Sequence, residues 1–428
     1  MLMFSFFVNK IYASALELPD HRKTDRGCPL PDTIMGAFAM FSLKDPSLLS
    51  FVDKYEARKE NLAHIYHVQE VPTDNGMRKI LDPVDPIHFR PFFQSLYEDT
   101  KVQEIVKKRV CFASLGGYVV IAADGTEHFC SGNTNCPHCM QRTLKNGEVQ
   151  NYHQLVGACI VHPQEKTVLP VFLEPITRQD GATKNDCEHN AFKRLVPNIE
   201  AVLPGLKKLV LLDGLFTDGP AVRTITDARM DFITVVKDGY VLVQAQRLEQ
   251  NAQLQTLTWV KDGHLQCTAQ WAHSLVLNGA NQDILVDFLQ YQETDNKTGK
   301  MVYASKWITS LHITEGFVPE FVEVARAKWK IENETWNVLK NHGYNFEHNY
   351  GHGKVFLCSV MATIMFLAFL VDQLTEATCW LFQKALKVAK TKRDLRQYVR
   401  TFFDYIPSLS MNFIYEVIAR NIKVAASP

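Results

Sequence analysis

The chain of 428 residues has no net charge, with 46 Lys plus Arg against 46 Asp plus Glu. Bulk charge therefore gives no reason to expect a polyanion partner, and any nucleic-acid surface has to come from local clustering. No internal repeat or low-complexity tract is present, which removes repeat arrays from consideration. The opening MLMFSFFVNK is apolar for only a few positions and no cleavage pattern follows, so it does not resemble a secretory signal. The ten cysteines are accordingly expected to be thiols in a reducing compartment rather than a disulfide framework. Long uncharged runs are also lacking, except at 355–371. A bilayer span needs about 20 apolar residues. This run is isolated and carries Cys358, Ser359 and Thr363, so a buried helix is expected and no membrane partner.

What the chain does have is the material for a core. With 46% hydrophobic and 21% charged residues it reads as a folded globular protein, long enough for two or three structural units. In residues 1–105 helical patterns alternate with Pro and Asp breaks, as in LKDPSLLSF and LDPVDPIHF, with a helix stop read at VPTDNG. A small helical N-terminal domain is expected there. From Gly117 the segments GYVVIAADG, VGACIVHP and TVLPVFLEP read as strands. A helix near 186–202, the buried strand KKLVLLDG, a helix near 220–229 and the strand DFITVVKDG follow. Strands alternating with helices predict an α/β unit whose first part spans 106–237. Between 238 and 311 the short segments YVLVQAQ, LQTLTWV, ILVDFLQYQ and MVYASKWITSL predict a β-rich insertion, and 312–428 reads as helical.

Two buried strands run into Asp-Gly, at Asp124 and Asp213. An acid at the C-terminal end of a hydrophobic strand lies at the sheet edge, where α/β folds place ligands, and the Gly lets the backbone turn away. Taken singly, each Asp-Gly reads as a turn after a strand. A third acid changes the balance. In VARAKWKIENETWNVLK, helical steps of about 100° put Ala325, Lys328, Trp329, Glu332, Trp336 and Leu339 on one face. Glu332 is then expected within a mainly apolar stripe, whereas Glu334 sides with Lys330, Asn337 and Asn341 and reads as solvated. A carboxylate buried without a partner is costly, so Glu332 must be paired, protonated or bound to a cation. The competing reading is an ion pair with Lys328 one turn earlier. Three carboxylates from two strand ends and a helix can hold two Mg²⁺ ions through hard oxygen ligands. Such a pair activates the attacking water or 3′-hydroxyl and stabilises the leaving oxygen of an in-line phosphoryl displacement.

Strand Asp, strand Asp, β-rich insertion and a W-x-I-E-N helix, in this order, resemble the insertion-sequence DDE transposases with a ribonuclease-H-like catalytic domain. The resemblance extends over LPDTIMGAFAMFSLKDPSLLSF, VPTDNGMRKILDPVDP, the Asp-Gly-Thr-Glu block at Asp124, CPHC, QDGATKNDCEHNAFKR, LLDGLFTDGP and WKIENETWNVLKNHGYNFEHNYGHGK. It implies Asp124, Asp213 and Glu332 as the catalytic, metal-binding triad, with Mg²⁺ as cofactor and Mn²⁺ able to substitute. It further implies an enzyme that cleaves phosphodiesters at transposon ends and joins the 3′-hydroxyls to target DNA. The implied partners are double-stranded DNA, both terminal inverted repeats and target, and further copies of the chain. The N-terminal domain would serve end recognition or subunit contact, and the protein would be cytoplasmic, associated with a bacterial nucleoid. Better-known members carry a Tyr and an Arg before the catalytic Glu and a Lys after it. Here Ala325, Lys328 and Leu339 stand at those positions, with Lys340 just beyond. A metal-dependent nuclease without strand transfer, or a domesticated DNA-binding protein without catalysis, are the alternatives.

Further groups could touch DNA. Lys384, Lys387, Lys390, Lys392, Arg393, Arg396 and Arg400 recur every three or four residues or closer in ALKVAKTKRDLRQYVR, which reads as a basic helical segment for phosphates or as a solvated face. In GYNFEHNYGHGK, Gly343 is placed to end the catalytic helix, and His348, His352 and Lys354 are candidates to face DNA. Lys328 and Lys340 join this set. Trp259, Trp271 and Trp307 of the insertion read as packing or as base-stacking groups, with nothing to choose among them. Cys136-Pro-His-Cys139, with Cys130 before it and His128, His153 and Cys159 nearby, could supply a zinc site. Only one C-x-x-C pair has the expected spacing, so buried thiols are the favoured reading.

Overall fold

The computed structural model describes residues 4–22, 27–112, 116–181 and 184–420; Ala182 and Thr183 of the QDGATKND stretch lie outside them. Helices come first: α1 (Phe4–Glu17), α2 (Leu30–Leu43), α3 (Leu48–Asp53), α4 (Tyr55–Tyr66), α5 (Asp74–Leu81), α6 (Arg90–Tyr97) and α7 (Thr100–Ile105). The sheet begins with β1 (Cys111–Phe112), β2 (Tyr118–Ser131), β3 (Met140–Thr143), β4 (Val149–Ile160) and β5 (Leu169–Ile176). There follow α8 (Lys184–Val202), β6 (Lys207–Leu212), α9 (Gly219–Asp227), β7 (Asp231–Val235) and α10 (Tyr240–Gln250). Next are β8 (Gln255–Lys261), β9 (Leu265–Asn278), β10 (Asn281–Asp295) and β11 (Met301–Thr309). The chain closes with α11 (Val318–Arg326), α12 (Asn337–Asn341), α13 (Leu357–Thr378), α14 (Trp380–Ala389), α15 (Lys392–Tyr405) and α16 (Met411–Ala419).

The central strands stand in the order β5-β4-β2-β6-β7, with β4 antiparallel to β2 and β5, and β6 and β7 parallel to β2 and to each other. Three antiparallel strands followed by two parallel ones, with α8 and α9 as the crossovers, make the ribonuclease-H-like core. The β-rich stretch expected at 238–311 carries β8 to β11, and it extends the central sheet. Its last strand, β11, pairs antiparallel with β7, and β10, β9 and β8 continue the same sheet outward. YVLVQAQ is helical, not a strand: Val241 and Ala245 of α10 are its buried pair at i, i+4, and over seven residues that spacing also satisfies alternation. Gln244 then clamps the helix to β9, its Nε2 donating to the Val276 carbonyl at 2.7 Å while its Oε1 accepts from Val276 N.

VPTDNG starts a helix instead of stopping one, because the Thr73 hydroxyl caps α5 by accepting from Gly76 N at 3.1 Å. The uncharged run is α13. It lies between α2 and β5, and 83% of its most apolar window is already covered by protein. Asp82 holds its start: the carboxylate accepts from the backbone N–H groups of Lys354, Val355, Phe356 and Leu357 at 2.9 to 3.1 Å.

The N-terminal helices are likewise continuous with the C-terminal ones. Arg58 on α4, with no exposed surface, donates to Asp45 and, at 2.5 Å, to Asp404 on α15. Asn61 donates to the carbonyls of Phe403 and Ile406 and accepts from Ser408 N. Breaking a buried ion pair leaves an uncompensated charge. Arg58→Met is expected to lower the unfolding free energy by about 3–5 kcal/mol, read from the denaturant midpoint at unchanged slope. An unshifted midpoint would show that the two helical groups do not depend on this pair.

Candidate active site

Asp124 does not end its strand. β2 continues to Ser131, and Asp124 and Gly125 are paired in register with Gly157 and Val156 of β4. The strand that ends is the neighbour. β6 stops at Leu212, and the parallel register Ala122↔Leu211, carried two residues on, brings Asp213 level with Asp124. There the chain turns, with the Asp213 carboxylate accepting from Leu215 N at 2.9 Å and its carbonyl accepting from the Thr234 hydroxyl of β7 at 2.7 Å. The two acids thus share one level of the sheet through strand register.

The third acid sits differently from the helical-phase expectation. Between α11 and α12 the helix is interrupted at 327–328, and Ile331–Trp336 forms a π turn. A uniform angular step does not hold across such a segment. Glu332 is not in an apolar stripe, since its side chain is 54% exposed. The buried residues are Ile331, Thr335 and Trp336. The ion pair with Lys328 is formed: its Nζ lies 2.7 Å from Glu332 Oε1 and 3.0 Å from Asp124 Oδ1. The same ammonium therefore joins the π turn to β2 and bounds the separation of the two carboxylates by the sum of those lengths.

Trp336 seats this turn on the sheet. A Cβ added to Gly157 would stand 2.4 Å from the far carbon of the Trp336 indole, so only glycine admits the ring there. Thr335 donates to Cys159 Sγ at 3.5 Å on the same strand. Phe346 and Phe366 stack on the indole with centroids at 6.1 and 5.8 Å. Gly157 is the register partner of Asp124. The indole contact thus fixes the π turn beside the acid.

Burial lifts the Asp124 carboxyl above its ordinary range. The Lys328 ammonium opposes that shift, and the charges of Glu332 and Asp213 add to it. Glu332 and Asp213 lie near enough for their charges to act on Asp124, a cation is already held between Asp124 and Glu332, and all three offer hard oxygens, which fit a divalent ion by donor chemistry. They are a looser set than the tightest His, Cys and acid groups among the described residues, whose ligand atoms lie within 4.8 Å of one another.

Beyond the π turn opens a cleft of about 1170 Å³ lined by Glu334, Asn337 and Asn341 on one side and Lys166, Lys392, Arg393, Arg396 and Arg400 among others. The basic segment is not one helix. Lys390, at φ 68°, breaks it into α14 and α15. Arg393, Arg396 and Arg400 of α15 face the cleft, whereas Lys387 and Lys390 are exposed and do not line it. Arg396 donates to the His342 carbonyl and lies over the Tyr344 ring, and Arg400 donates to the Lys44 carbonyl at 3.0 Å. Lys340 pairs with Glu347 at 2.9 Å, and His348 and Lys354 are exposed. His352 belongs elsewhere: it is buried, with Nε2 3.4 Å from Cys139 Sγ, and so does not face DNA. Cys136 and Cys139 lie together with His153, while Cys130 is exposed and outside that group. Gly343 follows the end of α12 as expected, at φ 91°. Trp271 and Trp307 are fully buried and cannot stack on a base; Trp259 is half-buried against Tyr291.

Residues 116–368, more than half of the chain, match the family described as Transposase DDE domain. The chain belongs to the DDE transposase family. As a DDE transposase it cleaves DNA and transfers strands with a divalent metal ion, and DNA is its partner. No curated protein matches it. A cryo-EM structure of the piggyBac transposase synaptic complex with hairpin DNA aligns over 92% of this chain and 81% of that one, at 13% identity and a TM-score of 0.34. That overall similarity is too weak to place any residue.

In this transposase the seat of the π turn is open to a direct test. Gly157→Ala is expected to overpack by about 1–3 kcal/mol and to cut DNA cleavage at least tenfold with the fold retained by circular dichroism. Adding Trp336→Phe, which removes the clashing carbons, should return part of the activity. Wild-type cleavage by Gly157→Ala would show that the contact does not position the site.

Proposed function

We propose that Asp124, Asp213 and Glu332 are the catalytic triad, that they hold two Mg²⁺ ions for which Mn²⁺ can substitute, and that the enzyme works on the terminal inverted repeats of its own element. The observation that carries the triad is the level alignment of Asp124 with Asp213 across β2 and β6, with Lys328 linking Asp124 to Glu332. When bound, the metal pair supplies an activated water or 3′-hydroxyl and charge stabilisation at the leaving oxygen. The protein's own residues do the rest. Strand register and the Trp336 seat hold the acids together before DNA arrives, so little reorganisation is left for the reaction itself. Lys328 is the charge that balances Asp124 and Glu332, and its ammonium is placed to turn to a phosphate oxygen when a metal ion takes over the carboxylates. It can supply the charge of the family's Arg but not a bidentate grip.

The cleft beyond the π turn is the proposed path of the duplex. Its exposed cations, Lys166 and Arg393, with Arg396 and Arg400 behind them, would contact phosphates without reading sequence. Pairing of two ends requires at least two copies of the chain on DNA, and the cytoplasm, at the bacterial nucleoid, is where such a substrate lies.

Replacing Asp124, Asp213 or Glu332 singly with Ala is expected to abolish Mg²⁺-dependent cleavage of a duplex carrying the element's end, with binding largely intact, while Glu334→Ala stays active. Full cleavage by Glu332→Ala would overturn the triad. Joining of a pre-cut end to a target plasmid separates transposition from a nuclease reading, which predicts cutting without joining. Arg393→Gln should weaken binding alike for end and unrelated duplexes and lower the salt slope of log K by about one. A loss confined to end DNA would contradict a phosphate role.

A further inference from the structure

Away from the carboxylates, four side chains from three segments aim their ligand atoms at one point. Cys136 and Cys139 come from the turn between β2 and β3, His153 from β4, and His352 from the loop after the catalytic helix; all four ligand atoms lie within 4.8 Å of one another. Cys136 Sγ and Cys139 Sγ are 3.7 Å apart, His153 Nε2 is 3.4 Å from each sulfur, and His352 Nε2 is 3.4 Å from Cys139 Sγ. A tetrahedron with Zn–S of about 2.3 Å and Zn–N of about 2.0–2.1 Å has edges of roughly 3.8 Å between sulfurs and roughly 3.5 Å between sulfur and nitrogen. The observed edges agree with it. A disulfide does not, since it would need about 2.05 Å between the sulfurs.

We propose that Cys136, Cys139, His153 and His352 form a structural zinc site. The turn that carries the two cysteines is built for it: Cys136 N donates to Cys139 Sγ at 3.4 Å, Cys139 N to the Cys136 carbonyl at 3.1 Å, and Gln179 Nε2 to the Pro137 carbonyl at 2.9 Å. His352 is delivered by a loop that the N-terminal helices hold from behind. Arg78 Nε donates to the Tyr350 carbonyl at 3.0 Å, and the Asp82 carboxylate collects the N–H groups just beyond His352. All protein ligand positions of a tetrahedral ion are filled by Cys and His, so the site is closed and takes no part in phosphoryl chemistry. Its effect is on position. His153 and Gly157 are four residues apart on β4 and share a face, so the ion pins the loop leaving the catalytic helix to the strand that seats Trp336.

The test is metal analysis of the full chain, purified without chelator from zinc-supplemented cells. Wild type is expected to carry about one zinc per chain, Cys136→Ser and His352→Ala less than about a fifth of that, and Cys130→Ser the full amount. His352→Cys keeps four ligands and should retain zinc, which separates ligand loss from misfolding. X-ray absorption at the zinc edge should give two sulfur and two nitrogen neighbours. Wild type with less than about a tenth of an equivalent, a Cys136–Cys139 disulfide in its place, or full zinc in both Cys136→Ser and His352→Ala would each overturn the proposal. None of these readouts depends on transposition, so the site stands or falls apart from the triad.

Discussion

The approach of the Trp336 indole to Gly157 is the contact that seats the π turn on the sheet, and with it the proposed third acid. Strand register alone brings two acids level, because β2 and β6 are neighbours in a sheet and their pairing is fixed by backbone hydrogen bonds. Nothing in the sheet brings the third. Glu332 comes from a segment far along the chain, held at the sheet by the Trp336 ring lying where any side chain on residue 157 would collide, by Thr335 against Cys159 and by Lys328 on Asp124. A π turn, with its extra residue, lets Ile331, Thr335 and Trp336 all be buried while Glu332 stays exposed and paired with Lys328.

The remainder of the molecule reinforces that contact from three sides. Phe346 and Phe366 stack on the indole, and Phe366 belongs to α13, the long apolar helix that unites the N-terminal helices with the sheet. Asp82 caps α13 and orders the loop before it. Arg58 and Asn61 tie α4 to the α15 end, and α15 also walls the basic cleft. The N-terminal helices, the sheet and the C-terminal helices therefore share one continuous hydrophobic core.

Much of this was legible in the sequence. Buried strands, crossover helices, and the run at 355–371 as core were readable from apolar runs and their spacing, and the order of the acids matched a known pattern. What was not legible shares one cause, long-range geometry that overrides a local signal. Asp124-Gly125 looks like a turn, but a partner strand carries it through the middle of β2. YVLVQAQ satisfies alternation, but the packing of Val241 and Ala245 makes it helical. The stripe around Glu332 assumed a regular helix, and the π turn removes that premise while leaving the acid beside Asp124 by way of Lys328. His352 lies more than two hundred residues from Cys139 in sequence and next to it in space, so spacing rules for metal ligands see only the C-x-x-C half.

Asp124, Asp213 and Glu332 are proposed to surround one metal-binding centre. Anomalous diffraction from crystals grown with Mn²⁺ tests it most directly. Peaks within coordination distance of all three carboxylates, with Lys328 displaced from between Asp124 and Glu332, are the predicted result. Manganese bound elsewhere, with Lys328 still bridging the two acids, would contradict it.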